Sequence, residues 1–123
     1  MQPIAIRGAT TVTANTVEEI KKASVELVQA IVDQNQIQEE NIIMVFLTMT
    51  DDLTAFNASS AIRLGMNWNL VPFFTSQEPS IEGMLPLCIR VLIQIHSSTP
   101  RDKVKHVYLG QAAHLRPDIK TAS

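Results

Sequence analysis

The chain has 123 residues, 46 % of them hydrophobic, with ten basic against twelve acidic side chains and a formal charge of −2. That length supports one core and one domain, and the near balance of charge argues against a nucleic-acid or membrane-surface role, which leaves a small molecule as the expected partner. A single cysteine, Cys88, excludes an intrachain disulfide framework and provides no thiol set for a zinc or iron–sulfur centre; with no basic leader, no long apolar block and no run of membrane-spanning length, a soluble, cytoplasmic protein is expected.

In chain order, Ile4 to Arg7 reads as a short strand with Ile4 and Ile6 on one side and Ala5 and Arg7 on the other. Thr16 followed by Glu19 forms a capping box, and Val17, Ile20, Leu27, Val28, Ile31 and Val32 then recur at helical spacing until about Asn35. Asn41 to Thr50 carries the almost unbroken apolar run Ile42–Leu47, which suits a strand covered on both faces. Ala58 to Leu64 is a second, shorter helix expected to stop at Gly65. Leu70 to Phe74 is a strand whose Pro72 points to an edge or an irregular start, and the segment holding Gly83 and Pro86 is too punctuated to assign. Leu87 to His96 is the most apolar strand, Ser97 to Asp102 a turn, and Lys105 to Leu109 a strand expected to run antiparallel to its predecessor across that short connection. The order strand, helix, strand, helix, strand, strand, strand describes one mixed α/β domain, an α+β arrangement on a mixed sheet with one covered face. It spans residues 1–118, followed by a loose polar tail over 119–123. The uncovered sheet face would need another subunit or water, so a closed homo-oligomer is expected.

The charge in the most apolar strand is the chief functional clue. Leu87, Ile89, Val91, Ile93 and Ile95 make one wholly apolar face, while Cys88, Arg90, Leu92, Gln94 and His96 share the other. A guanidinium stays protonated at any ordinary pH, so burying it calls for a permanent anionic or hydrogen-bonding partner. A bound ligand is one candidate.

Five strings stand out together: Ile6-Arg7-Gly8-Ala9-Thr10-Thr11, Gln77-Glu78, Cys88-Ile89-Arg90-Val91, His106-Val107-Tyr108-Leu109 and Leu115-Arg116-Pro117-Asp118. In order and spacing the chain resembles the AroH-type chorismate mutases from about Ile4 to Asp118. That resemblance implies a homotrimer around a pseudo-α/β-barrel core, three active sites in clefts between subunits, and neither metal nor organic cofactor. The implied reaction is the pericyclic rearrangement of chorismate to prephenate, on the route to phenylalanine and tyrosine. Arg90 matches the family's catalytic arginine, facing the ether oxygen on which negative charge collects. Arg7 and Tyr108 match positions that hold a substrate carboxylate, and Glu78 matches the acceptor of the substrate's hydroxyl hydrogen. Phe74, Thr75, Ser76 and Gln77 adjoin it along the pocket wall, and Arg63 and Arg116 match arginines near the cleft mouth. The chain departs from the family in two places: Thr75 replaces a common cysteine, and Asn57-Ala58-Ser59-Ser60 replaces Phe-Pro-Ala-Lys, with Phe56 shifted by one. Losing the lysine removes a positive charge beside the mouth, so weaker substrate capture is expected.

Apart from the resemblance, Arg90 and Arg7 would read as structural ion pairs, Arg63, Arg101 and Arg116 as solvated surface charges, and Cys88 as a small buried hydrophobe. His96, His106 and His114 lack metal-ligand spacing, and neither a phosphate-binding glycine loop nor a nucleophile elbow is present. The rival function is a non-catalytic trimer that binds a small dicarboxylate in the same cleft.

Overall fold

The computed structural model describes residues 1–114. Ile89, Val91, Ile93 and Ile95 are all buried, whereas Leu92 is 41 % exposed and His96 lies at the surface, so the period-two division of the Arg90 strand is realised. Around it stand β1 (Gln2–Thr11), α1 (Val17–Asn35), β2 (Ile42–Met49), α2 (Ala58–Met66), β3 (Phe73–Gln77), β4 (Cys88–Ser97) and β5 (Val107–Tyr108). This is the element order expected. The strands form one five-stranded mixed sheet in the order β3-β2-β4-β1-β5. β4 pairs antiparallel with both β1 and β2, while β3 runs parallel to β2 and β5 parallel to β1.

One face of this sheet carries the helices. The buried stripe of α1, Ile20, Ser24, Leu27, Val28 and Ile31, follows helical spacing and packs with Ile4, Ile6, Val45, Leu47, Ile89 and Ile93 in one core. Each fully buried Ile or Leu there is worth roughly 1.5–3 kcal/mol. Gly8 lets helix and sheet approach: a Cβ at that position would lie 2.7 Å from Ile31 Cδ1 and 3.1 Å from the Val107 carbonyl oxygen.

Several sequence expectations need correction. β5 is not antiparallel to β4, because β1 and β2 already occupy both edges of β4; the last strand instead adds to the free edge of β1. β2 is buried through Val45, Leu47 and Met49 but only partly covered at Met44, Phe46 and Thr48, since the helices cover only one side. β3 starts after Pro72 and runs to Gln77, with the proline just outside an edge strand where its missing N–H costs nothing. β1 extends over Gln2–Thr11 because β4 pairs with it along its whole length, past the point where its apolar alternation ends. α2 continues through Gly65, which sits against Val25 of α1, and ends at Asn67 in the left-handed conformation, φ 56°. Only half of the expected capping box forms. Thr16 Oγ1 accepts from the Glu19 N–H at 3.2 Å, but the Glu19 carboxylate accepts from the Thr13 hydroxyl at 2.9 Å, and Thr16 N–H donates to the Ala14 carbonyl.

Candidate active site

Strand register builds the site on the face that lacks the two α-helices. Opposed positions place Thr48 beside Arg90, Arg90 beside Ala9 and Ala9 beside Tyr108, a single row across four strands. The next row runs Phe46, Leu92, Arg7. Successive residues of a strand alternate faces, so these side chains must emerge together. Ala9 keeps the middle of the first row low, between an arginine and a tyrosine.

A cavity of about 280 Å³ opens there, lined by Arg7, Glu78, Arg90 and Tyr108 together with Phe46, Thr48 and Leu92. Glu78 reaches it because β3 pairs with β2 one residue further, Glu78 N–H donating to the Met49 carbonyl at 2.8 Å. Thr48 Oγ1 donates to Glu78 Oε1 at 2.5 Å. Arg90 Nε lies 3.4 Å from the same oxygen, an ion pair within the chain. Thus the anionic partner that the apolar strand demands is Glu78, inside the cavity. Nε itself is shielded from solvent and makes no hydrogen bond among the described residues, yet the side chain as a whole is 39 % exposed, so its exposed part is free to meet a ligand. Tyr108 is buried at 4 % exposure against Ala9, Ala112 and Leu85. The backbone of Arg7 is fixed by its N–H, which donates to His106 Nδ1 at 2.9 Å.

Other expected site residues lie elsewhere. Phe74 and Ser76 emerge on the same sheet face as Arg90, with Phe74 61 % exposed and stacked on Phe46 at 5.7 Å between ring centres. Thr75 stands opposite Leu47 and therefore turns to the helix side, Gln77 is exposed beyond it, and Arg63 is exposed on α2. None of these lines the cavity. Arg116 and the 119–123 tail lie outside the described residues. Cys88, two residues before Arg90, is buried, and that burial pushes its thiol up from its ordinary value, partly opposed by Arg90. Among the described residues no cluster of three His, Cys, Asp or Glu could hold a metal ion.

Sequence reasoning missed Thr48 and Phe46. Their signal was alternation within β2, hidden when that strand was read as covered on both faces.

The sequence profile of chorismate mutase type I matches residues 4–119. The chain belongs to the type I chorismate mutase family. Among its relatives, Chorismate mutase AroH of Thermus thermophilus is 44 % identical, covering 95 % of this chain and 96 % of the relative. Chorismate mutase AroH of Bacillus subtilis (strain 168) is 38 % identical over 93 % of this chain and 90 % of its own length. A solved chorismate mutase from Clostridium thermocellum superposes with a TM-score of 0.85 at 35 % identity, covering 89 % of this chain and 96 % of that one.

The two segments of this type I chorismate mutase chain at which the resemblance implied a departure, Asn57–Ser60 and Thr75, meet in the structure. Asn57 Oδ1 caps α2 by accepting from the Ser59 N–H at 2.8 Å and also accepts from Thr75 Oγ1 at 3.2 Å, while the Ser59 and Thr75 hydroxyls bond to each other. Asparagine, serine and threonine thus form one polar cluster tying α2 to the edge strand.

Proposed function

We propose that this protein isomerises chorismate to prephenate in aromatic amino-acid biosynthesis. The observation that carries the reading is the convergence of Arg90, Arg7, Glu78 and Tyr108 on one cavity, in a chain of this family. The substrate carries two carboxylates and an enol ether. One C–O bond breaks as one C–C bond forms, no atom is gained or lost, and no cofactor is called for. Because C–O cleavage runs ahead of C–C bonding, negative charge gathers on the ether oxygen, and Arg90 aims a fixed, permanently charged donor at it. Arg7 and Tyr108 hold a carboxylate, and Glu78 accepts the hydroxyl hydrogen. An acceleration at the modest end of enzyme catalysis lowers the barrier by roughly 8 kcal/mol, of which one preorganised donor supplies about 3–4. Holding the flexible ether in its compact reactive shape accounts for the rest, an effect whose upper range is roughly 7–11 kcal/mol.

The same reading makes the protein a cytoplasmic homotrimer with a pseudo-α/β-barrel core and sites between subunits. Supporting it are the exposed Phe74 and Leu92 on the uncovered sheet face and the separation of Arg63, Thr75 and Gln77 from the cavity of their own chain. Phe74, Thr75, Ser76, Gln77 and Arg63 of one subunit then complete a neighbour's pocket, and Arg63 and Arg116 draw the dianion to its mouth.

Following the absorbance of chorismate mixed with purified protein tests the reaction. Steady loss to prephenate is expected, and Arg90→Ala lowers kcat by about 10²–10³. Tight binding of chorismate without conversion would establish the dicarboxylate-binding alternative instead.

A further inference from the structure

We propose that Thr48 is a positioning residue for this reaction, its hydroxyl holding one oxygen of Glu78 so that the carboxylate does not close on Arg90. The inference deepens the chorismate mutase reading and rests on it. Thr48 Oγ1 has one proton to donate, and it goes to Glu78 Oε1 at 2.5 Å. That oxygen is also 3.4 Å from Arg90 Nε, near enough for an ion pair, while Nε makes no hydrogen bond among the described residues. The oxygen has a second lone pair that could satisfy the guanidinium, but the hydroxyl holds it where Nε meets it as an ion pair and not as a hydrogen bond.

Two consequences follow from the geometry. Thr48 stands opposite Arg90 in the sheet, and its β-branched side chain has few χ1 choices, so the donor is aimed from a rigid floor. Glu78 Oε2 makes no hydrogen bond among the described residues and is left to accept the substrate's hydroxyl hydrogen. Removing the Thr48 hydroxyl frees the carboxylate to turn and form a two-pronged pair with Arg90, occupying donors that the substrate needs.

Thr48→Val keeps shape and strand preference, and its circular dichroism and melting temperature serve as the check on folding. With chorismate as substrate, kcat/KM is expected to fall roughly tenfold, the loss of one hydrogen bond to a charged group. Thr48→Ser restores most of it. In a Glu78→Ala background, Thr48→Val changes kcat/KM by less than about twofold, because the hydroxyl acts only through that carboxylate. Wild-type kcat/KM in folded Thr48→Val, an equal penalty without Glu78, or failure of folded Thr48→Ser to recover would each overturn the assignment. A wild-type protein inert toward chorismate would overturn the reaction itself, and this inference with it.

Discussion

Two positions on one strand face have opposite fates: Arg90 opens into a cavity, whereas Cys88 is sealed at 2 % exposure. Burial is the main cause that pushes the Cys88 thiol up, with Glu78 and Asp52 adding to it and Arg90 opposing it. The folded protein therefore keeps this proton to higher pH than the unfolded chain does. Between those two values the native state binds more protons, so this contribution to stability is intact below the ordinary value of 9.0 and declines as pH rises through and beyond it. Urea unfolding of wild type and Cys88→Ala as a function of pH measures this. The wild type is expected to lose more stability above pH 9.0 than the alanine variant does, and parallel curves would show that the thiol plays no part. Arg90 and Cys88 were both legible in sequence, since a charge and a small hydrophobe in an apolar alternation each carry their own signal. The grip on Glu78 was not, because a threonine within an apolar run looks the same whether its hydroxyl meets a backbone carbonyl or a carboxylate thirty residues away.

Elements were legible wherever one periodicity governed them. The helical spacing of α1 and the alternation of β4 emerge directly from burial against one core. β5 was misplaced because two residues of strand carry no information about which open edge they join; that choice belongs to the sheet, after β4 has been enclosed on both sides. The extension of β1 through Gly8 was equally hidden, because it comes from pairing with β4 along the whole strand and Gly8, seated closely under α1, gives no apolar signal of its own. Gly8→Ala tests that seat. The added carbon meets Ile31 Cδ1 at 2.7 Å, Leu27 Cδ1 at 3.2 Å and a backbone oxygen of β5 at 3.1 Å; the side chains can yield but the strand carbonyl yields less. Overpacking of this kind costs about 1–3 kcal/mol, to be read as a lower urea midpoint at unchanged slope. An undiminished midpoint would mean that α1 is not held at this distance from the sheet.

At the scale of the whole molecule, the expected pocket residues fall into two sets that one chain does not unite. Arg7, Glu78, Arg90 and Tyr108 surround the cavity, while Arg63, Phe74, Thr75, Ser76 and Gln77 lie off it on α2 and the β3 edge. Sequence could assign these residues to a family pattern but not to separate surfaces, since spacing along a chain says nothing about which copy supplies a contact. The proposed closed trimer would join the two sets and make each pocket heterologous, built from different patches of neighbouring subunits. Co-expression of two damaged variants then has a definite outcome. When Arg90→Ala and Arg63→Ala chains assemble at random, roughly a quarter of the pockets receive both intact arginines, one from each neighbour. The co-expressed population as a whole should recover that share of wild-type activity at low chorismate concentration, where the loss at Arg63 is felt. Arg90→Ala mixed with Arg7→Ala should recover none, because both belong to the same chain's cavity. Recovery by the second pair would place Arg7 and Arg90 of one pocket in different subunits, and recovery by neither would place all the arginines of a pocket in a single subunit.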